Sequence, residues 1–309
     1  SWSALLLGKL LWLIVRPIMR RLSDFALCRR RMQQLDRGAP FTDGHAASLG
    51  GVKVHVAERA EPRRVVLYLH GGGFFMHPTS AHVGFLNSLC SELAAIGVLP
   101  AYRLSPECPF PQGLDDCMSA YQALLARGVP ASAIVVAGES AGGTLTLSLL
   151  MRLRDAGLPL PACAVLISPG TDLAGIGLHA SYRENSSRDA LVPPDALPRI
   201  VRAYAGTRDP AHPDISPLRG DFSSLPPLHF VASSSEVLRD DSVLAAQKGR
   251  EAGVAVELSL WGGLMHAFPL FHRLPEARTA REDIVRFILT HTAEHSQLQG
   301  VTLADENPS

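Results

Sequence analysis

The stretch IVVAGESAG at positions 134–142 decides the fold. Its first four residues form a short apolar run, which is typical of a strand buried on both faces. Gly-x-Ser-x-Gly follows directly, and residues 143–155 continue in a helical pattern. Between a strand and a helix, this motif forms a sharp turn that holds a serine in a strained backbone conformation at the helix N-terminus. The pattern predicts that Ser140 is a nucleophile.

Short apolar runs of the same kind recur on either side, and helical patterns separate them. The runs lie at 65–69, 162–167 and 228–232, and the helical patterns at 81–95, 114–126 and 143–155. This alternation predicts an α/β fold with a mostly parallel central sheet and helices on both faces. Residues 171–225 break the pattern, because they contain many prolines and no convincing core strand. We interpret them as a helical cap.

The same patterns predict the organisation of the chain. We expect a catalytic core in two pieces and a cap in two pieces, followed by a flexible polar tail. The core is predicted at 46–172 and 222–296, the N-terminal cap helices at 1–45, the cap insertion at 173–221 and the tail at 297–309.

The sequence HGGGFF at 70–75 follows the apolar run at 65–69. Consecutive glycines let the backbone approach a ligand closely and point several N–H groups at one position, as an oxyanion hole requires. A phosphate-binding loop is the competing interpretation, but the glycine spacing of such loops is missing. We therefore expect the backbone around Gly72 and Gly73 to stabilise a developing negative charge.

A serine nucleophile needs a general base and an acid that orients it, and both follow the serine in this type of chain. His266 follows an alternating strand pattern and two glycines, and is the predicted base; His272 is the alternative. The segment SSSEVLRDD at 233–241 offers the acid. We favour Glu236 because it lies nearest the strand end, with Asp240 as the alternative.

Together these segments resemble the hormone-sensitive-lipase family of carboxylesterases, whose members carry HGGG and G-[DE]-S-A-G-G. The resemblance spans residues 65–268 and includes YRLSPE at 102–107 and ISPL at 215–218. It implies an α/β-hydrolase fold, an oxyanion hole formed by the N–H groups of Gly72, Gly73 and Ala141, and no metal or organic cofactor. Family members often carry Asp where this chain has Glu236.

The resemblance and the motifs together predict a serine carboxylesterase that hydrolyses small-molecule esters of short to medium chain length through an acyl-enzyme. Two alternatives remain open. A longer-chain lipase would use the same residues. A non-catalytic ligand-binding protein would keep the fold and the pocket, but would be expected to lose a member of the triad.

Charge and cysteine content limit the other functions. Lys and Arg number 29, as do Asp and Glu, and no basic run is interleaved with aromatic residues, so nucleic-acid binding is not expected. The five cysteines are scattered and include no CxxC pair, which argues against a disulfide framework or a zinc site. No apolar run is expected to reach the ~18 residues of a membrane span, so a soluble, cytoplasmic protein is expected.

The N-terminal segment carries a separate prediction. Residues 5–15 are apolar, and Lys9, Arg16 and Arg20 fall on one face of a helix. We expect this helix to form a lid over the pocket, with a peripheral membrane contact as the alternative. The sequence leaves open whether the chain forms a homo-oligomer.

Overall fold

The computed structural model describes residues 1–20, 24–36, 44–293, 298 and 303. Their strands are β1 (His45–Leu49), β2 (Val52–Ala57), β3 (Arg64–Leu69), β4 (Ala95–Pro100), β5 (Ile134–Glu139), β6 (Cys163–Ile167), β7 (Leu228–Ser233) and β8 (Val256–Trp261). Their α-helices are α1 (Trp2–Arg20), α2 (Phe25–Leu35), α3 (Ser80–Leu93), α4 (Gln112–Ala126), α5 (Ala141–Asp155), α6 (Ala180–Glu184), α7 (Leu197–Ala205), α8 (Arg239–Glu251) and α9 (Pro275–His291).

The strands form one sheet in the order β1-β2-β4-β3-β5-β6-β7-β8. β1 and β2 pair antiparallel, β2 pairs antiparallel with β4, and every other neighbouring pair is parallel. The predicted mostly parallel sheet is confirmed. In such a sheet the carboxyl ends of the parallel strands meet at one edge, where ligands bind in α/β proteins.

Helices cover both faces of this sheet, as predicted. Val65 and Leu67 of β3 lie in the same hydrophobic cluster as residues of α4 and α5. Val66 and Tyr68 point the other way, into a cluster with α3 and α9. Every residue of β3 to β7 is buried. This double burial explains why these strands appear in the sequence as continuous apolar runs.

Strand β4 was not predicted, and the helix predicted over 81–95 extends too far. α3 ends at Leu93, and Ala94 takes a left-handed conformation with φ 47°. Ala95 then begins β4, which is buried along its whole length. The apolar residues around this turn fit a buried helix as well as a buried strand, so periodicity alone could not separate the two.

The predicted cap insertion, 173–221, contains α6 and α7, and among the described residues no strand lies between β6 and β7. α7 packs on the core, where the Tyr204 ring stacks on Phe74 with 3.7 Å between ring centroids. Of the predicted tail at 297–309, only Leu298 and Leu303 belong to the described residues, and both are buried.

α1 corrects two expectations. Its residues Trp2–Met19 have a mean hydropathy of 1.5, and only 22% of this window is buried, so by length and composition alone the helix could cross a membrane. The expectation that no apolar segment reaches the length of a membrane span was wrong. Lys9 and Arg16 interrupt the apolar run, but the mean hydropathy of the 18-residue window stays high. Arg16 also does not share an exposed basic face with Lys9, because its side chain is buried against the cap.

Candidate active site

Ser140 occupies a tight turn between β5, which ends at Glu139, and α5, which begins at Ala141. Its backbone is strained, with φ 54° and ψ −121°. Two glycines make the turn feasible. A Cβ at Gly142 would collide with the carbonyl oxygen of Leu69, and one at Gly138 would collide with the carbonyl oxygen of Gly142. The structure therefore has the strand-turn-helix geometry that the sequence motif predicted.

Glu236 and His266 meet at the carboxyl edge of the sheet. Oε2 of Glu236 lies 2.7 Å from Nδ1 of His266, and Oε1 accepts the N–H of Ser233 at 2.9 Å. Both side chains are buried. A carboxylate at Nδ1 favours the tautomer with its proton there, which leaves the lone pair on Nε2. Nε2 has no hydrogen-bond partner among the described residues, and so no hydrogen bond joins it to Ser140.

The structure does not bring the two alternative residues to this pair. Asp240 accepts hydrogen bonds from the N–H of Ser181 at 2.8 Å and from Nε of Arg239 at 2.7 Å. His272 is exposed in the turn before α9. Within the described part of the chain, no group of three or more His, Cys, Asp and Glu residues is placed to hold a metal ion.

Two cap residues hold the loop that carries Glu236. Oδ2 of Asp189 accepts the N–H of Val237 at 2.8 Å. Nδ2 of Asn185 donates to the carbonyl oxygen of Glu236 at 2.8 Å. From the core side, Oγ of Ser233 donates to the carbonyl oxygen of Leu264 at 2.7 Å. This bond connects the loop that carries Glu236, the acid loop, to the loop that carries His266. Sequence reasoning missed all three residues, because no local motif marks them.

The pKa of His266 is raised above its ordinary value of 6.5. Burial, the largest single influence, lowers this pKa. The hydrogen bond and charge of Glu236, together with the charges of Asp189 and Glu139, outweigh burial and raise the pKa. The site therefore stabilises the imidazolium that forms when a histidine takes a proton from a nucleophile.

The glycine loop follows β3 at the same edge of the sheet. Gly72 and Gly73 have positive φ angles of 102° and 61°, which favour glycine. Ala141 is the first residue of α5, where a backbone N–H has no partner within the helix. Among the described residues, the N–H groups of Gly72, Gly73 and Ala141 donate no hydrogen bonds. They remain available to a ligand.

Glu139 joins the glycine loop to the serine turn. Its buried carboxylate accepts the hydroxyl of Tyr68 at 2.6 Å, Nε2–H of His82 at 2.9 Å and the N–H of Gly71. His82 can donate at Nε2 because its Nδ1 accepts the N–H of Thr79 at 2.8 Å. The Gly-x-Ser-x-Gly motif alone does not show whether Glu139 supports the site or is an ordinary buried hydrogen-bonding residue. Its contacts link the two loops that carry the predicted nucleophile and oxyanion donors.

Glu139→Gln is expected to lower kcat by about 10- to 100-fold, because three donors converge on the carboxylate and a glutamine amide presents its own N–H to one of them. The glycine loop would shift, whereas substrate contacts in the cap would remain. Steady-state kinetics should show a larger change in kcat than in KM. Glu139→Asp, which keeps the charge, should recover part of the rate. An unchanged kcat in Glu139→Gln, at an unchanged melting temperature, would contradict a positioning role.

Comparison with known proteins gives the family. A family model described as the alpha/beta hydrolase fold matches residues 66–270. An acetyl-hydrolase of Streptomyces hygroscopicus is 40% identical over 75% of this chain and 77% of its own, and an esterase of Acinetobacter venetianus is 33% identical over 88% and 87%. A solved esterase of the bacterial hormone-sensitive lipase family superposes with a TM-score of 0.83 at 31% identity, covering 92% of this chain and 98% of its own. The chain therefore belongs to the hormone-sensitive-lipase family of α/β-hydrolase-fold carboxylic ester hydrolases.

Proposed function

We propose that this protein is a serine carboxylesterase that hydrolyses esters of short to medium chain length through an acyl-enzyme. One observation carries the proposal: His266 is bonded to Glu236 at 2.7 Å through Nδ1, while its Nε2 is buried without a partner. A histidine held in this way has the orientation and the tautomer of a general base. The strained turn of Ser140 at the same edge of the sheet supplies the nucleophile.

The reaction proceeds in two halves. His266 takes the hydroxyl proton of Ser140 while Oγ attacks the ester carbonyl, and the N–H groups of Gly72, Gly73 and Ala141 stabilise the oxyanion. The intermediate collapses, the imidazolium protonates the leaving alcohol, and the acyl group stays on Ser140. Water, deprotonated by the same histidine, then attacks the acyl-enzyme. When this second intermediate collapses, the imidazolium returns its proton to Oγ of Ser140 and the acid leaves. Glu236 holds the imidazole in place throughout.

Close packing of the cap supports a preference for small acyl groups. A Cβ on Gly73 would lie 3.4 Å from Cγ2 of Ile200 in α7, so this cap helix sits directly against the glycine loop. The stack of Tyr204 on Phe74 anchors the same helix. Ile200 therefore lies beside the glycine loop, where we expect a long acyl chain to meet α7. The similarity to an acetyl-hydrolase agrees with this preference.

Hydrolysis of p-nitrophenyl esters from acetate to palmitate tests the chain-length proposal. We expect kcat/KM to be highest for acetate to hexanoate and to fall beyond octanoate, because longer acyl chains clash with α7. Ile200→Ala, which removes side-chain volume beside Gly73, should move the optimum toward longer chains. A wild-type optimum at palmitate would contradict the proposal and favour the longer-chain lipase.

The pH dependence of kcat/KM provides an independent test of His266. Only the neutral imidazole can accept the serine proton, so activity should rise with pH through its pKa. Because this pKa is raised, the half-maximal rate should lie above pH 6.5. Asp189→Asn removes a carboxylate that raises the pKa and should move the midpoint to lower pH. Asp155→Asn, at the far end of α5, should leave the midpoint unchanged. A midpoint below 6.5 in the wild type would argue against His266 as the base.

A further inference from the structure

The outer face of α1 is an exposed apolar surface. Trp2, Leu6, Leu10 and Leu13 are 84%, 68%, 53% and 64% exposed. They lie within about a third of a turn of one another around the helix, opposite the buried residues Ala4, Val15 and Met19. Contiguous exposed apolar surface of this kind marks an interaction site in soluble proteins. We call this surface the α1 face.

The N-terminal segment that carries the α1 face is rich in basic residues, although Arg16 is buried against the cap and Arg29 pairs with Glu107 at 3.0 Å. Residues 1–35 contain seven Lys and Arg residues and one acidic residue, Asp24, although the whole chain is neutral. Asp24 is engaged as the N-cap of α2, where its side chain accepts the N–H of Leu27. Lys9 on α1 and Arg30 and Arg31 on α2 are exposed. Leucine and tryptophan side chains on α1, together with the exposed basic groups of Lys9, Arg30 and Arg31, are complementary to anionic lipid headgroups above an apolar layer.

The inner side of α1 is fixed to the body of the protein. The guanidinium of Arg16 is buried and donates to the carbonyl oxygens of Ser186, Ser187 and Asp189 in the cap. Asp189 in turn accepts the N–H of Val237 beside Glu236. With these contacts in place α1 lies along the protein surface and cannot cross a bilayer. The geometry fits a helix that lies in the plane of the membrane interface.

A cavity lies beneath α1, between this helix and the loops that carry Glu236 and His266. Its volume is about 650 Å³, and α1 contributes Leu5, Trp12 and Leu13 to its lining. Its lining also includes Ser235, the chain neighbour of Glu236, and Met265, the chain neighbour of His266. Leu6 and Leu10 do not line this cavity. Contact through the α1 face would place the cavity at the lipid surface.

We propose that the α1 face, with the basic residues of α2, docks this protein on the surface of an anionic lipid bilayer. Association with a second copy through the same face is disfavoured, because symmetric pairing would bring the two basic segments together. The proposal is independent of turnover, since it concerns the surface and not the reaction. It is also compatible with small acyl groups, because a short acyl group can be carried by a membrane-embedded alcohol.

Co-sedimentation with vesicles tests the docking. The protein is mixed with phosphatidylcholine vesicles, or with vesicles that also contain phosphatidylglycerol. The same experiment is carried out with Ser140→Ala, so that binding is measured without catalysis. We expect preferential binding to the anionic vesicles. Leu6→Glu/Leu10→Glu should lower the bound fraction by about tenfold or more, and so should Arg30→Glu/Arg31→Glu. Leu289→Glu, at a leucine on α9 that is 46% exposed, is the control and should bind as the wild type does.

Five results would overturn the proposal. Binding to neither vesicle, equal binding to both, or equal losses in Leu289→Glu and Leu6→Glu/Leu10→Glu would each exclude specific docking by the α1 face. Protein that is released from vesicles by detergent but not by high salt and alkaline carbonate would instead be inserted across the bilayer. A dimer in solution that Leu6→Glu/Leu10→Glu converts to a monomer, without vesicle binding, would identify a protein interface. Melting temperatures measured by circular dichroism exclude unfolding as the cause of any loss.

Discussion

Ser140→Ala is expected to lower kcat for p-nitrophenyl acetate by about 10⁴-fold or more. The substitution removes the only atom that can form the acyl-enzyme in the proposed mechanism, whereas the glycine loop and the cap stay in place. Alanine also suits the tight turn between β5 and α5 no worse than serine does, because both have a Cβ at φ 54°. Stability should therefore change little. Steady-state rates and thermal melts on the same preparation measure both quantities.

Ser148→Ala is a suitable control for this experiment. Ser148 lies on α5, about two turns beyond Ser140, and donates to the carbonyl oxygen of Asp214 away from the catalytic edge. Its replacement should leave kcat within about twofold of the wild type. A reactive phosphonate ester should label the wild type and Ser148→Ala, but not Ser140→Ala. If Ser140→Ala retains its rate and its label, the nucleophile lies elsewhere. If the wild type shows neither esterase activity nor labelling, the non-catalytic ligand-binding alternative replaces the esterase proposal.

The sequence predicted those parts of the site that depend on local geometry. The turn around Ser140 requires glycine at position 142, because the carbonyl oxygen of Leu69 leaves no room for a Cβ there. Both glycines of the turn lie within one five-residue motif, so the local sequence shows them. The positions of Glu236 and His266 could be inferred although 30 residues separate them. Both follow strands of a parallel sheet, and the ends of such strands meet at one edge.

Contacts between distant segments could not be predicted in the same way. Asp189 reaches the acid loop from a cap segment without regular pattern, and Tyr68 and His82 reach Glu139 from 71 and 57 residues away. A buried carboxylate with three donors becomes visible only when the chain is folded. The misplaced end of α3 has a related cause. Its left-handed Ala94 is not a residue that favours this conformation, so the sequence carries no stop signal there.

Glu236→Gln is expected to lower kcat by about 10⁴-fold, the cost known for replacing a triad carboxylate by its amide. Oε1 of Glu236 accepts the N–H of Ser233 and Oε2 faces Nδ1 of His266, so a glutamine that keeps the first contact turns its NH₂ group toward the imidazole. Nδ1 must then accept a hydrogen bond and the ring proton moves to Nε2. A histidine in that tautomer cannot take the proton of Ser140.

Asp240→Asn separates the two candidate acids. Asp240 accepts hydrogen bonds from Ser181 and Arg239 and not from His266. Asp240→Asn should therefore lower kcat by less than about fivefold. Glu236→Asp adds a finer test, because family members often carry the shorter side chain here. Aspartate keeps the charge but not the reach to Nδ1, and an intermediate rate is expected. If Asp240→Asn abolished activity while Glu236→Gln did not, the acid would be Asp240, and the buried Glu236–His266 contact would have only a structural role.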